Sequence, residues 1–246
     1  GPMVRWQAGS TIFVNFTNRT RVPTAVHWHG IRLDNRFDGV PGVTQDAVEQ
    51  NGTFRYRIHF PDAGIYWYHP HHREDVMQEL GLYGNLLVDP RPADYYSPVN
   101  NEQVLILDDF LVNARGENVF FGDESANYML MGRFGNVFLT NGEPEYGLEV
   151  DAGDVVRFFL TNVSNTRTFN VSFRPTTDAT VPPVSSPPPL PIKVVGSDVG
   201  KFERETMVES VVLAPAERYV VEVLFNDPGP PPPTNHVQGI NHRMGV

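Results

Sequence analysis

The feature that most constrains the fold is a long series of short segments rich in β-branched and aromatic residues, separated by glycine, proline, asparagine and aspartate. Examples are "STIFVNFTN" at 10–18, "TFRYRIHF" at 53–60 and "RYVVEVLF" at 218–225. Short runs of this composition between turn residues are typical of β-strands. The best helical pattern is "HHREDVMQELG" at 71–81, which predicts about two turns. The sequence therefore predicts an all-β sandwich.

An internal repeat indicates that the sandwich occurs twice. "AGSTIFVNFTN" at 8–18 aligns without gaps on "AGDVVRFFLTN" at 152–162, an offset of 144 positions. We interpret the chain as two tandem β-sandwich domains, at residues 1–92 and 93–228, followed at 229–246 by a linker towards a further domain. A proline-rich insertion at 175–191 should form an extended surface loop, because proline donates no hydrogen bond to a sheet.

Charge and composition exclude several classes of function. The chain has 29 acidic and 19 basic residues, so its net charge is −10, and such a surface repels nucleic-acid phosphates. No apolar run approaches the ~18 residues that span a bilayer. The chain contains no cysteine, which excludes a thiolate nucleophile, an iron–sulfur cluster and a type 1 (blue) copper site held by this chain.

Two pairs of histidines have the same spacing. His27 and His29 flank a tryptophan in "AVHWHG", and His69 and His71 flank a proline in "WYHPHH". Side chains at positions i and i+2 of a strand share one face of the sheet. Two such pairs on neighbouring strands would bring four imidazoles together, and imidazole binds zinc, copper, iron and nickel. The spacing therefore predicts a metal site.

The repeat predicts that the second sandwich lacks these ligands. Carrying the offset of 144 forward places Val171 opposite His27 and Phe173 opposite His29. Since both residues of the second copy are apolar, we expect them to be buried and to bind no metal. One copy is then specialised for metal and the other for structure.

At these histidines the chain resembles the laccase-like multicopper oxidases of the three-domain type. The first-copy matches are "HWHGIRLDNRFDGVPGVTQ", "AGIYWYHPHH" and "ELGLYGNLLV". The second-copy matches are "NGEPEYGLEVDAGDVVRFFLTN" and "LAPAERYVVEVLF". The resemblance implies two cupredoxin-like Greek-key β-sandwich domains in tandem, which form the N-terminal part of a longer enzyme.

The resemblance also implies roles for individual residues. In that family, four His-x-His pairs hold a three-copper cluster between the first and last domains. By position, His27 corresponds to a ligand of the type 2 copper, and His29, His69 and His71 correspond to ligands of the type 3 pair. Asp38, in "DGVP", corresponds to an acid that orients water and helps to supply protons for O2 reduction.

Function and partners follow from the same resemblance. The complete enzyme would oxidise phenols or similar small substrates by single electrons and reduce O2 to water. A C-terminal cupredoxin domain with a His-Cys-His motif would be the partner that completes the cluster and carries the type 1 copper. We expect this chain alone to be inactive, to lie outside the cytoplasm (periplasmic or secreted), and to contain no membrane span.

Two alternatives remain open at this stage. One is a copper-binding or copper-delivery module without oxidase activity. The other is a four-histidine zinc site in a hydrolase, although "DGVPGVTQ" offers no general base that we can identify. Around the second pair, Arg73, Glu74 and Asp75 either begin a helix or orient the ligands. We expect His59 to face solvent.

Overall fold

A computed structural model describes residues 1–121, 132–174 and 188–226, together with the backbone of Asn235–Gln238 and Asn241–Met244. Strand accounts for 48% of the chain and helix for 3%, so the predicted all-β class is correct. The chain divides into two compact units: Gly1–Tyr96 with Asp198–Gly200, and the remaining residues from Ser97 onward. Residues 175–187 of the predicted insertion loop, which was expected at 175–191, lie outside the described part of the chain.

The first unit is a small sandwich of two sheets. One sheet has the strand order β1-β6-β5-β3, and the other pairs β2 with β4. Its strands are β1 (Val4–Gln7), β2 (Thr11–Thr17), β3 (Val26–His29), β4 (Thr53–His59), β5 (Gly64–Pro70) and β6 (Gly84–Asp89). A 3-10 turn covers Asn35–Phe37, and the single α-helical turn among the described residues, α1, covers Glu74–Met77.

Alternation of exposed and buried residues along β4 (Thr53–His59) fixes which of its faces is buried. Tyr56 and Ile58 of β4 pack with Trp28 of β3 and Tyr66 of β5 in one apolar cluster. The Val26 amide donates to the Tyr56 hydroxyl at 2.9 Å, which ties β3 to the opposite sheet. Because Trp28 faces this core, the residues on either side of it face away from it.

The second unit repeats the two-layer arrangement with a larger sheet. The orders are β13-β12-β15-β10-β7-β8, β14-β11-β17 and β16-β9. The strands are β7 (Asn101–Phe110), β8 (Val137–Thr140), β9 (Gly147–Val150), β10 (Val155–Asn162), β11 (Phe169–Ser172), β12 (Ile192–Ser197), β13 (Gly200–Val208), β14 (Val211–Leu213), β15 (Arg218–Leu224), β16 (Asn235–Gln238) and β17 (Asn241–Met244). Its core contains Phe158, Phe169, Val171 and Phe173.

A buried asparagine at the end of each repeated segment shows that the two units are built alike. The Asn18 carboxamide donates to the carbonyls of Val22 and Val48 and accepts from the amide and hydroxyl of Thr20. The Asn162 carboxamide makes the same four bonds, to the carbonyls of Arg167 and Leu213 and from the amide and hydroxyl of Ser164. We call these two side chains the asparagine hubs.

The hubs also show that the carried-forward offset is wrong by one residue. Asn18 reaches a carbonyl four residues on, and Asn162 reaches one five residues on, so the second loop is one residue longer. The strand pairing agrees: Thr24 pairs with Val48 in the first unit, and Phe169 pairs with Leu213 at the equivalent place in the second. Phe169 follows Thr24 by 145 positions, so the offset after the hubs is 145 and not 144. A slip of one residue exchanges the faces of a strand.

The corrected offset changes the equivalent residues. His27 corresponds to Ser172 and His29 to Arg174, whereas Phe173 corresponds to the core residue Trp28. Val171 and Phe173 are buried as predicted, at 0% and 2% exposure. They are buried because they face the core of the second unit, and they are not substitutes for the histidines.

The structure differs from two further predictions, one for a linker and one for a helix. The segment expected to be a linker, 229–246, contains β16, which pairs with β9, and β17, which pairs with β11. The helix expected at 71–81 is present but covers one turn only, at Glu74–Met77. Within the described ranges, the helices are too short and too polar to cross a membrane.

Candidate metal centre

The four histidines are brought together by the pairing of β3 with β5. In this antiparallel pair His27 lies directly opposite His69, and Trp28 lies opposite Tyr68. Trp28 and Tyr68 face the core, so the histidines share the outer face of the sheet. His71 follows the end of β5, where its amide donates to the Ala25 carbonyl at 3.2 Å. The predicted convergence of both His-x-His pairs is therefore present.

The imidazole rings are close enough to share metal ions. The ring centroid of His27 lies 5.5 Å from that of His29, 5.3 Å from that of His69 and 5.1 Å from that of His71. One nitrogen from each of His27, His29 and His69 lies within 4.8 Å of the other two. His71 adjoins this group without belonging to it.

Hydrogen bonds select which nitrogen is presented by the rings of His27, His69 and His71. The Nδ1 of His27 lies 2.7 Å from the Asp38 carbonyl, and the Nδ1 of His69 lies 2.8 Å from the Pro70 carbonyl. The Nδ1 of His71 lies 2.9 Å from Oε1 of Glu74. A carbonyl or carboxylate oxygen only accepts, so each Nδ1 carries the proton. Each Nε2 then keeps the lone pair that a metal ligand needs.

His69 is the most buried of the four. It is 5% exposed, and its Nε2 is a buried atom without a hydrogen-bond partner among the described residues. Burial lowers its pKa to about 3, against the opposing effect of the Pro70 carbonyl, and the neighbouring imidazoles of His27 and His71 lower the pKa further. His69 is therefore neutral at physiological pH, and neutral imidazole is the form that binds metal.

Trp67 contacts the histidines, although it was not among the site residues predicted from the sequence. Its ring stacks on His69 at 4.2 Å and on His29 at 5.0 Å between centroids. Trp67 is 2% exposed and lies opposite Asn85 of β6, which is 1% exposed. The signal in the sequence was the position of Trp67, two residues before His69 on the same face of the strand.

Asp38 reaches the site through a glycine-dependent turn. Its carboxylate Oδ1 lies 3.5 Å from Nδ1 of His27, in addition to the bond made by its carbonyl. The next residue, Gly39, has φ +80°, and a Cβ there would lie 1.8 Å from the Val26 carbonyl oxygen. Only glycine allows the loop to pass so close to β3. The "DG" dipeptide therefore sets the position of Asp38.

The other histidines lie apart from this centre or outside the side-chain description. His59 is exposed, as expected, and its Nδ1 lies 3.0 Å from the Thr11 hydroxyl across the β2–β4 pair. His72 is half-buried and does not belong to the group of three. The side chains of His236 and His242 fall outside the described part of the chain.

Comparisons with known proteins agree with the chemistry of these residues. Residues 1–93 match the family model described as multicopper oxidase. "Copper resistance protein A homolog" of Pseudomonas syringae pv. tomato is 37% identical over 113 residues, or 45% of this chain and 18% of that protein. "Multicopper oxidase MmcO" of Mycobacterium tuberculosis is 41% identical over 111 residues, or 45% of this chain and 21% of that protein.

The fold of the whole described chain also has solved relatives. The crystal structure of a multi-copper oxidase from Pseudomonas thermotolerans has a TM-score of 0.78 at 30% identity. The match covers 92% of this chain and 51% of that one. This chain therefore spans about half the length of that solved relative, and its aligned part spans about a fifth of the two curated relatives.

Proposed function

We propose that this chain is part of a multicopper oxidase and supplies four histidines of a three-copper cluster that reduces O2 to water. The observation that carries the proposal is the pairing of His27 with His69 across two strands, with the buried Nε2 of His69 left without a partner. A buried lone pair without a hydrogen bond is costly unless a ligand satisfies it.

The residues fit copper. The four donors are imidazoles, and three of them are preset by their Nδ1 hydrogen bonds to offer Nε2. Nitrogen donors of this kind suit copper, and they would also accept zinc or nickel. We assign His27 to the type 2 ion and His29, His69 and His71 to the type 3 pair, following the family pattern.

The chain's own residues would hold, orient and protect the cluster. Bound copper supplies the one-electron redox chemistry that O2 reduction requires. Trp67 stacks on one side of His29 and His69 and would shield the buried ring of His69 from water. Reduction of O2 to water consumes protons, and we assign their supply to the half-buried carboxylate of Asp38, whose Oδ1 lies 3.5 Å from Nδ1 of His27.

A further domain, beyond the two units of this chain, is required by this proposal. Four histidines do not complete a cluster that takes eight in the family pattern, and the chain has no cysteine for a type 1 site. We propose that a C-terminal cupredoxin domain supplies the remaining ligands and the electron entry site. Phenols or similar small molecules would be the reducing substrates, and the enzyme would act outside the cytoplasm.

Reconstitution tests the proposal. This chain would be mixed with copper and a separately expressed cupredoxin domain that carries a His-Cys-His motif, and O2 uptake would be followed with a phenolic substrate. We expect uptake from the mixture and none from either piece alone. Replacing His69 by alanine should abolish uptake by the mixture. Turnover by this chain alone would contradict the proposal.

The second candidate is a copper-binding or copper-delivery module, which is consistent with the name of the copper resistance relative from Pseudomonas syringae. It predicts stoichiometric copper binding by this chain with no O2 uptake from any mixture. Metal analysis and electron paramagnetic resonance on the isolated chain would separate it from a zinc site, because zinc gives no signal. A zinc-only preparation would contradict both copper proposals.

A further inference from the structure

His71 differs from the other histidines in how its ring is held. His27, His29 and His69 lie on paired strands, whereas His71 lies just past the end of β5. Its side chain is 34% exposed, while His69 as a whole residue is 5% exposed. Strand pairing and burial therefore do not fix the orientation of the His71 ring. The contact that can fix it is the one between its Nδ1 and Glu74, at 2.9 Å.

The local backbone is shaped to make this contact. Arg73 adopts a left-handed conformation, with φ 49° and ψ 50°, immediately before α1. The carbonyl of Arg73 then accepts from the amides of Val76 and Met77, and its guanidinium forms two bonds of 2.9 Å with Asp75. Met77 is buried and anchors the turn. The chain thus reverses after His72 and brings Glu74 back onto His71.

The group that accepts the hydrogen bond from Nδ1 of His71 differs in kind from the acceptors of His27 and His69. Nδ1 of His27 and of His69 donates to a backbone carbonyl, which no substitution removes. Nδ1 of His71 donates to a side-chain carboxylate. The hydrogen bond at one ring nitrogen decides which nitrogen carries the proton and leaves the other for a metal. A neutral imidazole in water prefers the opposite tautomer, protonated at Nε2.

We propose that Glu74 is a positioning residue that holds His71 as the Nδ1-protonated tautomer and so makes its Nε2 available to metal. The identity of the metal rests on the proposed function, but the tautomer does not. Glu74 is half-exposed and belongs neither to a strand nor to the core of the first unit, so we expect its substitution to leave both intact. The effect of its removal can therefore be measured on a folded chain.

The first test measures the tautomer directly in the metal-free chain. Two-dimensional NMR of the chain labelled with 15N-histidine, at a pH where the rings are neutral, reports which nitrogen of each ring is protonated. His71→Gln identifies the His71 signals by their loss. We expect Glu74→Ala to shift His71 to the Nε2-protonated form and to leave His27 and His69 unchanged. Glu74→Gln, whose amide oxygen can still accept, should restore most of the native tautomer.

A matched control removes a carboxylate of the same unit that lies away from the histidines. Asp62→Asn breaks the pair between Asp62 and Arg32, at 2.8 Å, and should leave all histidine signals in place. A His71 tautomer that is the same in the wild type and in Glu74→Ala would overturn the proposal. A shift of all histidines together would also overturn it, because it would report a change of fold.

The second test measures copper affinity by competition with a chelating dye. Loss of a residue that orients a ligand typically costs 10–100-fold in metal affinity, and we expect a loss in that range for Glu74→Ala, with partial recovery in Glu74→Gln. A shifted tautomer with unchanged affinity would overturn the link to metal binding. A wild-type chain that binds no copper even when mixed with the completing cupredoxin domain, but shows the His71 tautomer, contradicts the proposed function and supports the role of Glu74.

Discussion

Strands β3 and β11 occupy equivalent places in the two units, and they differ in what their outer faces carry. Each follows an asparagine hub with the same four hydrogen bonds. The outward positions hold His27 and His29 in the first unit and, by the corrected offset, Ser172 and Arg174 in the second. The hub and the core define the fold, so the outer face of the strand is free to acquire ligands.

The larger sheet of each unit carries a row of polar residues on its outer face, and the two rows differ in whether their members bind one another. In the second unit Glu102, Arg157, Glu222, Lys193 and Glu205 form a row across five strands, and neighbours of opposite charge lie 2.6 to 3.1 Å apart. We call this row the charge ladder. In the first unit the row His29–Trp67–Asn85 crosses three strands. There the Trp67 indole and the Asn85 carboxamide have no hydrogen-bond partner among the described residues.

The contrast distinguishes a structural polar row from one that is prepared for a ligand. A buried polar network whose members satisfy one another makes the native state rigid and needs no further partner. A buried donor or acceptor that lacks a partner lowers stability until a ligand, ion or water satisfies it. We therefore expect the two units to respond in opposite ways to removal of their polar residues.

The largest expected effect is in the charge ladder. Glu222 is 4% exposed and pairs with both Arg157 and Lys193. Glu222→Ala leaves two cations short of a partner, and breaking a buried pair in this way costs about 3–5 kcal/mol of unfolding free energy. Denaturant unfolding would measure it, with Glu205→Ala at the exposed end of the ladder as control, at about 0–1 kcal/mol. Equal losses for the two variants would show that burial does not govern the ladder.

The next effect tests whether the asparagine hubs are equivalent. Asn18→Ala and Asn162→Ala each remove four hydrogen bonds, which are all buried around Asn162 and partly buried around Asn18. Each should lower the unfolding free energy by about 2–3 kcal/mol, because at least one buried carbonyl is left unpaired in each unit. Similar losses in the two variants would support a common scaffold. A loss confined to one unit would break the comparison on which the corrected register depends.

Copper should stabilise the chain only through the first unit. A ligand at 100 times its Kd raises the free energy of unfolding by about 2.7 kcal/mol. We expect thermal unfolding to shift upward with copper in the wild type and in Ser172→Ala, and not in His69→Ala. A shift that persists in His69→Ala would show that the metal binds elsewhere.

The strands and the face of the histidines could be predicted because they depend on local alternation. His27 and His29 share a face by strand geometry alone, and Trp28 between them has to face a core. Strand β13 was not predicted, because Lys201–Met207 is exposed throughout at the edge of its sheet, which leaves no alternation to detect. Charged residues on an exposed edge strand oppose its pairing with another chain.

Features that depend on the length or conformation of a loop could not be predicted. The register of β11 relative to β3 depends on one extra residue after Asn162, which an ungapped alignment cannot detect. The role of Glu74 was left open because it depends on the left-handed conformation of Arg73, which is uncommon for a residue other than glycine. The stacking of Trp67 on two histidines required the pairing of β3, β5 and β6.

The smallest expected effect is that of replacing Asn85, where the informative quantity is the sign of the change in unfolding free energy. Both polar atoms of its carboxamide are buried and without a partner in the described part of the chain, in contrast to Asn162 with four bonds. Replacing an unsatisfied buried polar group by an apolar one of similar shape is neutral or stabilising. Asn85→Leu should therefore change the unfolding free energy by less than about 1 kcal/mol, whereas Asn162→Leu should destabilise strongly.

If Asn85→Leu is as costly as Asn162→Leu, an ordered water satisfies the Asn85 carboxamide, and the outer face of the first unit is as saturated as that of the second. If it is neutral while copper affinity falls, the unsatisfied row belongs to the metal centre and extends it from β3 to β6.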